Sequence, residues 1–148
     1  MTRITPNFNF DGRCADAIAL YEQAFHAQVD YVLRYRDADP QDLSMTLTKE
    51  QEDYVYHAEM HIGGQRIMLC DNLDVPFQTS LALSLTVTFD TAEDVRRAFE
   101  ILASGGQIIY PLHRTTYSSQ VGVLVDRYGF RWGLMTDCLL YTSDAADD

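Results

Sequence analysis

The chain has 148 residues, of which 47% are hydrophobic and 22% charged, a length and composition suited to one globular domain with a buried core. A formal net charge of −11 excludes nucleic acid as a partner, because phosphate recognition needs a basic face. No apolar run approaches the roughly 20 residues of a membrane helix, and the opening Met1–Pro6 has no apolar signal segment. The chain is therefore expected to be soluble and cytoplasmic, with no membrane partner. Three cysteines, Cys14, Cys70 and Cys138, form no CxxC pair, which suits reduced thiols in a reducing compartment.

From the N-terminus, Ile4, Pro6, Phe8 and Phe10 alternate with polar residues, the period of a strand. Cys14, Ala17, Ile18, Tyr21 and Phe25 recur at three and four, the period of an amphipathic helix. Residues 28–36 are strand-like, and residues 37–53, acidic and interrupted by Pro40, form a loop. Strands follow over 54–62 and 65–71, joined by Gly63-Gly64, a dipeptide suited to a two-residue hairpin turn. In that register His61 faces Arg66, Glu59 faces Met68 and His57 faces Cys70, all on one face of the sheet.

After a linker over about 72–79 the order repeats. Leu81, Leu83, Leu85, Val87 and Phe89 alternate with Ala82, Ser84, Thr86 and Thr88, which predicts a half-buried strand. Thr91-Ala92-Glu93-Asp94 has the pattern of a helix cap. The helix behind it, striped by Val95, Ala98, Phe99 and Leu102, stops at Gly105-Gly106. Strands then fit 108–115, 120–126 and 130–136, with a turn glycine at Gly129 and Trp132 on the helix-facing side. The doubled β-α-β-β-β order outranks any single motif. It predicts one domain over 1–137, with a first module over about 3–71 and a second over about 80–137. Residues 138–148 break the pattern and read as a translated sequencing adapter from assembled environmental (metagenomic) DNA, outside the fold.

Three stretches carry a resemblance. Asn9-Phe10-Asp11-Gly12 precedes the first helix, which contains Ala17-Ile18-Ala19-Leu20-Tyr21. Tyr56 to Gly64 followed by Ile67-Met68-Leu69-Cys70-Asp71 forms the central hairpin. Asp126-Arg127-Tyr128-Gly129-Phe130-Arg131-Trp132-Gly133-Leu134 forms the closing turn and last strand. With the doubled order, these resemble the vicinal-oxygen-chelate (VOC) superfamily of glyoxalases, bleomycin-resistance proteins and extradiol dioxygenases, in its PhnB-like branch. The likeness spans residues 3–137. It implies an α+β fold in which two tandem βαβββ modules form a curved, cleft-enclosing mixed sheet with the helices outside. It also implies a homodimer.

Chelating members of that superfamily hold one divalent ion through His or Glu on their first, fourth, fifth and eighth strands. Those positions fall here on Thr5 or Pro6, Met68, Ser84 and Gly133, none of them a credible ligand for a tight divalent site. The expectation is accordingly no cofactor, a divalent metal being unsupported at the ligand positions. His57, Glu59 and His61 nevertheless form an H-x-E-x-H row of fair ligands and acid–base groups. Successive members stand about 6–7 Å apart along a strand, too splayed to chelate one small ion unaided. Cys70 reads either as a thiolate activated by His57 or as an inert thiol. The cleft implied by the resemblance is lined by Asn7, Asn9, His57, Glu59, His61, Met68, Cys70, Ser84, Thr86, Arg114, Tyr117 and Arg131.

These residues support competing functions. One is a small-molecule-binding protein without the usual VOC metal site, taking an apolar or aromatic ligand in the cleft. Another is a lyase-, isomerase- or dioxygenase-like enzyme with His57 and Glu59 as catalytic residues, with or without a divalent metal. A third is an interaction module with a vestigial cleft. Some relatives carry a ubiquinone-pathway methyltransferase label, but neither GxGxxG nor GxxxxGK[ST] is present to support a nucleotide or S-adenosylmethionine loop.

Overall fold

The computed structural model describes residues 1–137, and the adapter-like tail, including Cys138, lies outside the described residues. In chain order the elements are β1 (Asn7–Phe10), α1 (Cys14–Phe25), β2 (Gln28–Arg34), β3 (Val55–Ile62), β4 (Gln65–Asp71), β5 (Ser84–Phe89), α2 (Ala92–Ala103), β6 (Gln107–His113), β7 (Val121–Val125) and β8 (Arg131–Thr136). They fall into two compact units, Met1–Gln78 and Thr79 onward. Each unit holds one four-stranded sheet, ordered β1-β4-β3-β2 and β5-β8-β7-β6. The first strand of each module runs parallel to the last, and the remaining pairs are antiparallel. The same βαβββ topology is thus built twice, and the class is α+β.

Each unit is pinned by a buried aspartate. Asp71, 1% exposed at the end of β4, stands at the open N-terminus of α1. Its Oδ1 accepts the N–H groups of Gly12 (2.7 Å) and Cys14 (3.0 Å), and its Oδ2 accepts that of Val55 (2.9 Å). One carboxylate therefore caps the helix and ties it to β3 and β4. The stripe Ala17, Ile18, Tyr21, Ala24 and Phe25 of α1 is buried, with Tyr21 edge-on to Phe8 at 5.9 Å between ring centroids. In the second unit, Asp126 accepts from the backbone N–H groups of Tyr128 and Phe130 and from Trp132 Nε1 (2.9, 3.1 and 2.9 Å). That carboxylate closes the turn at Gly129, where φ is 94°, and fixes the buried Trp132. Helix α2 is capped as expected, Thr91 Oγ1 accepting Asp94 N–H at 3.1 Å, and it buries Val95, Ala98, Phe99 and Leu102.

Several strand ends differ from the sequence expectation, for a common reason. Hydrophobic alternation continues past the point where a ladder partner exists. Leu81 and Leu83, read as part of the half-buried strand, precede β5 and are 46% and 75% exposed. Strand β8 begins only at Arg131, which pairs with Ser84, so no backbone ladder extends to residues 81–83. Likewise Ile4 lies outside β1 and is exposed, because Pro6 has no N–H to give and contributes only its carbonyl, which accepts Met68 N–H at 2.9 Å. Strand β2 gives way at Tyr35 to a 3-10 turn, and the acidic loop behind it holds two more short turns, Pro40–Asp42 and Gln51–Asp53. Strand β6 ends at His113, short of the expected Thr115. Among the described residues no helix is long and apolar enough to cross a membrane.

Candidate functional site

The hairpin of β3 and β4 turns at Gly63-Gly64, with φ at +58° on Gly63, and pairs Ile62 with Gln65, His61 with Arg66 and Glu59 with Met68. This is the register expected from the dipeptide. One step beyond the ladder lie His57 and Cys70. On the other side of β4, parallel β1 sets Asn7 beside Met68 and Asn9 beside Cys70. Asn7, Asn9, His57, Glu59, His61, Met68 and Cys70 therefore share one face. The opposite face carries the buried Phe8, Phe10, Ala58, Met60, Ile67 and Leu69.

Two further residues reach this polar face from β2, Asp30 by alternation from Gln28 and Tyr31 by a distortion. In β2, Val29 pairs with Met60 and Tyr31 with Glu59, so Asp30 is an inserted residue without a partner in the ladder. A bulge turns neighbouring side chains toward the same side. Asp30 Oδ2 meets His61 Nδ1 at 2.6 Å, while the Tyr31 hydroxyl donates to Glu59 Oε2. Arg66, diagonal to Glu59 across the hairpin, donates through Nε to Oε1. Both oxygens of Glu59, whose side chain is 13% exposed, are thus engaged. The Tyr31 phenol, with help from Arg66 and against the cost of burial, holds this carboxyl below its ordinary range, and the same bond pushes the Tyr31 phenol up.

His57 stands apart from that pair, its Nε2 3.8 Å from Glu59 Oε2 and its ring tilted against Tyr31 at 5.8 Å between centroids. The Cys70 thiol donates to Asn9 Oδ1 at 3.1 Å. Burial first, and the nearby Asp71 charge second, push that thiol up, so it is kept from the thiolate form that nucleophilic attack needs.

In the second unit, Ser84 pairs with Arg131 and Thr86 with Gly133, on the face turned away from buried Trp132 and Leu134. Arg131 donates through Nη1 to the Leu81 carbonyl at 3.0 Å, and its buried Nε has no hydrogen-bond partner among the described residues. Arg114 and Tyr117 are not on a strand: both lie exposed in the loop after β6. The four positions where chelating relatives carry ligands offer poor donors. On β1 the amide Asn7 pairs with Met68, and Pro6 just before it accepts the Met68 N–H at 2.9 Å. A Cβ added to Gly133 would come within 3.1 Å of Thr86 Oγ1, so a threonine hydroxyl presses on the point from which a glutamate would start. Neither Asn7 and Met68 in the first unit nor Ser84 and Gly133 in the second offers donors that fit a divalent ion. Among the described residues no three His, Cys, Asp or Glu side chains gather as a metal-holding group.

The family described as 3-demethylubiquinone-9 3-methyltransferase matches residues 2–135. The chain belongs to this family. A Bacillus cereus structure described as a putative 3-demethylubiquinone-9 3-methyltransferase, PhnB protein, is 31% identical, covering 91% of this chain and 99% of that one, with a TM-score of 0.76. Protein YjdN of Escherichia coli K12 is 24% identical over 134 residues, 87% of this chain and 91% of its own. The fosfomycin resistance protein FosX of Mesorhizobium loti, 13% identical over 97% of each chain at a TM-score of 0.61, shares the fold alone. The chain is thus a PhnB-like member with the VOC fold that its doubled modules imply.

Sequence reasoning passed over Asp30, Tyr31 and the role of Arg66. Alternation in Gln28–Arg34 sends Asp30 and Tyr31 to opposite faces, and only the bulge brings them together. The pairing of Arg66 with Glu59 had a signal, since opposite charges stood on facing strands, but it is diagonal rather than direct.

Proposed function

We propose that this PhnB-like protein binds a small organic molecule on the polar face of its first sheet, without a metal. The observation that carries the reading is the commitment of Glu59. A carboxylate with a phenol on one oxygen and a guanidinium on the other, held below its ordinary range, is a weak base. Each of its oxygens already accepts a hydrogen bond, which leaves less of the carboxylate for a cation. What it does accomplish is to fix Tyr31 and Arg66 before any ligand arrives, and such preorganisation lowers the entropy cost of binding. The face then presents the amides of Asn7 and Asn9, two imidazoles and the 45% exposed Tyr31 ring, a mixture suited to a ligand with an aromatic body and polar edges. The methyl transfer in the family's name is not part of this reading.

A second reading is kept by His57. Its Nε2 lies near, but not bonded to, Glu59, so an enzyme moving a proton through His57 remains the alternative. The protein is further proposed to be cytoplasmic and a homodimer, for which light scattering at micromolar concentration is the check: a monomer refutes it.

The experiment is elemental mass spectrometry on the full chain purified without a metal-binding tag, followed by a small-molecule screen by thermal shift with and without chelator. The expected result is substoichiometric metal and ligand shifts indifferent to chelation. A stoichiometric divalent ion, or shifts that chelator abolishes, overturns the metal-free reading. A screen without a single shift overturns binding.

A further inference from the structure

Resting on the binding reading, we infer that His61, positioned by Asp30, accepts the polar hydrogen of the ligand, and that the ligand is a hydroxylated aromatic molecule. A carboxylate can only accept, so the 2.6 Å contact of Asp30 Oδ2 with His61 Nδ1 places a proton on Nδ1. In the neutral ring the other nitrogen, Nε2, is then a bare acceptor, because the bond made by one imidazole nitrogen decides the state of the other. His61 Nε2 makes no hydrogen bond to a described residue, and the side chain is 40% exposed, so a ligand can reach it.

The groups that face His61 leave it this role. Across the ladders stand Gln28 on β2 and Arg66 on β4, and one step along its own face lies Glu59. Arg66 and Glu59 are bonded to one another, and Asp30 is bonded to His61 itself. Gln28 pairs with His61, so strand alternation sets Asp30 on the His61 face, and the insertion there brings Tyr31 onto that face as well. The next residue, Tyr31, has its hydroxyl tied down on Glu59 while its ring stays 45% exposed on the same face. A fixed, open aromatic face beside a directed acceptor matches a planar ring that bears an O–H group.

The test uses the full chain near neutral pH, where 2-naphthol is un-ionised, with 2-naphthol and its methyl ether 2-methoxynaphthalene as probes. Calorimetric titration reads their affinities, and two-bond proton–nitrogen correlation reads the His61 tautomer, assigned with the His61→Gln variant. The naphthol is expected to bind about tenfold more tightly than the ether, the scale of one well-made hydrogen bond. His61 is expected as the Nδ1–H form. Asp30→Ala should lose that tautomeric preference and weaken the naphthol about tenfold while leaving the ether unchanged, and Asp30→Val, which also lacks an acceptor, serves if the alanine variant does not fold. Equal affinities for the two probes, or an unchanged tautomer in the Asp30 variants, overturn the inference while leaving the binding reading in place. Absence of binding by both probes also overturns it, whereas the binding reading stands or falls on the unbiased screen.

Discussion

Replacing Asp71 with alanine removes the acceptor on which the first unit is assembled. The N–H groups of Gly12, Cys14 and Val55 lose a partner at 2.7, 3.0 and 2.9 Å. A buried donor left unsatisfied costs about 1–3 kcal/mol, and a bond to an ionised acceptor contributes about 1.5–3 kcal/mol. Cys14 and Val55 are buried, so water cannot replace the carboxylate there, while Gly12 is half-buried and is partly rehydrated. Two donors near the middle of that range and one near its low end give about 5 kcal/mol for Asp71→Ala, a large share of the 5–15 kcal/mol that holds a domain. Asp71→Asn keeps one carbonyl oxygen and should lose about half as much. The assay is equilibrium urea unfolding followed by far-ultraviolet circular dichroism. A loss below about 1 kcal/mol for the alanine variant would mean that the three donors find other acceptors, and the account of α1 capping from β4 would be wrong.

Two other perturbations follow from the same geometry. The Glu59 carboxyl is held below its ordinary value of 4.5, so its contribution to stability is present above that value and is lost as the pH falls through the lower folded-state value. Glu59→Gln, which has no such proton to take up, should show a shallower acid-side fall in urea midpoint than the parent, and identical acid limbs would refute the Tyr31 and Arg66 contacts. Trp132→Phe deletes the 2.9 Å bond to Asp126 Oδ2 and should cost about 1.5–3 kcal/mol by circular dichroism, with a change under about 0.5 kcal/mol counting against that bond.

How much of this was legible in the sequence varies with how local the cause is. The Gly63-Gly64 turn, the Thr91 cap and the stripes of both helices depend on residues within a few positions of one another, and each stands where period and turn chemistry put it. Strand ends do not, because Leu81 and Leu83 alternate as well as Leu85 does, yet only a partner on β8 turns alternation into a strand. Asp71 and Asp126 carry a second lesson. An aspartate after a strand reads as a solvated turn former, and only the assembled unit reveals three donors converging on a side chain that is 1% or 3% exposed.

The polar face shows most sharply where sequence-local rules stop. Read from β3 alone, His57, Glu59 and His61 are three equivalent donors at even spacing. The inserted residue in β2 breaks that equivalence: Asp30 takes His61, Tyr31 and Arg66 take Glu59, and His57 is left without a direct bond to either. A row that resembled an incomplete metal site thereby becomes one oriented pair, one group of three and an imidazole tilted against Tyr31. Strand alternation has no term for an insertion whose cause lies in the neighbouring strand, which is why the change of chemistry from shared ligation to directed hydrogen bonding is written in the pairing register rather than in any motif.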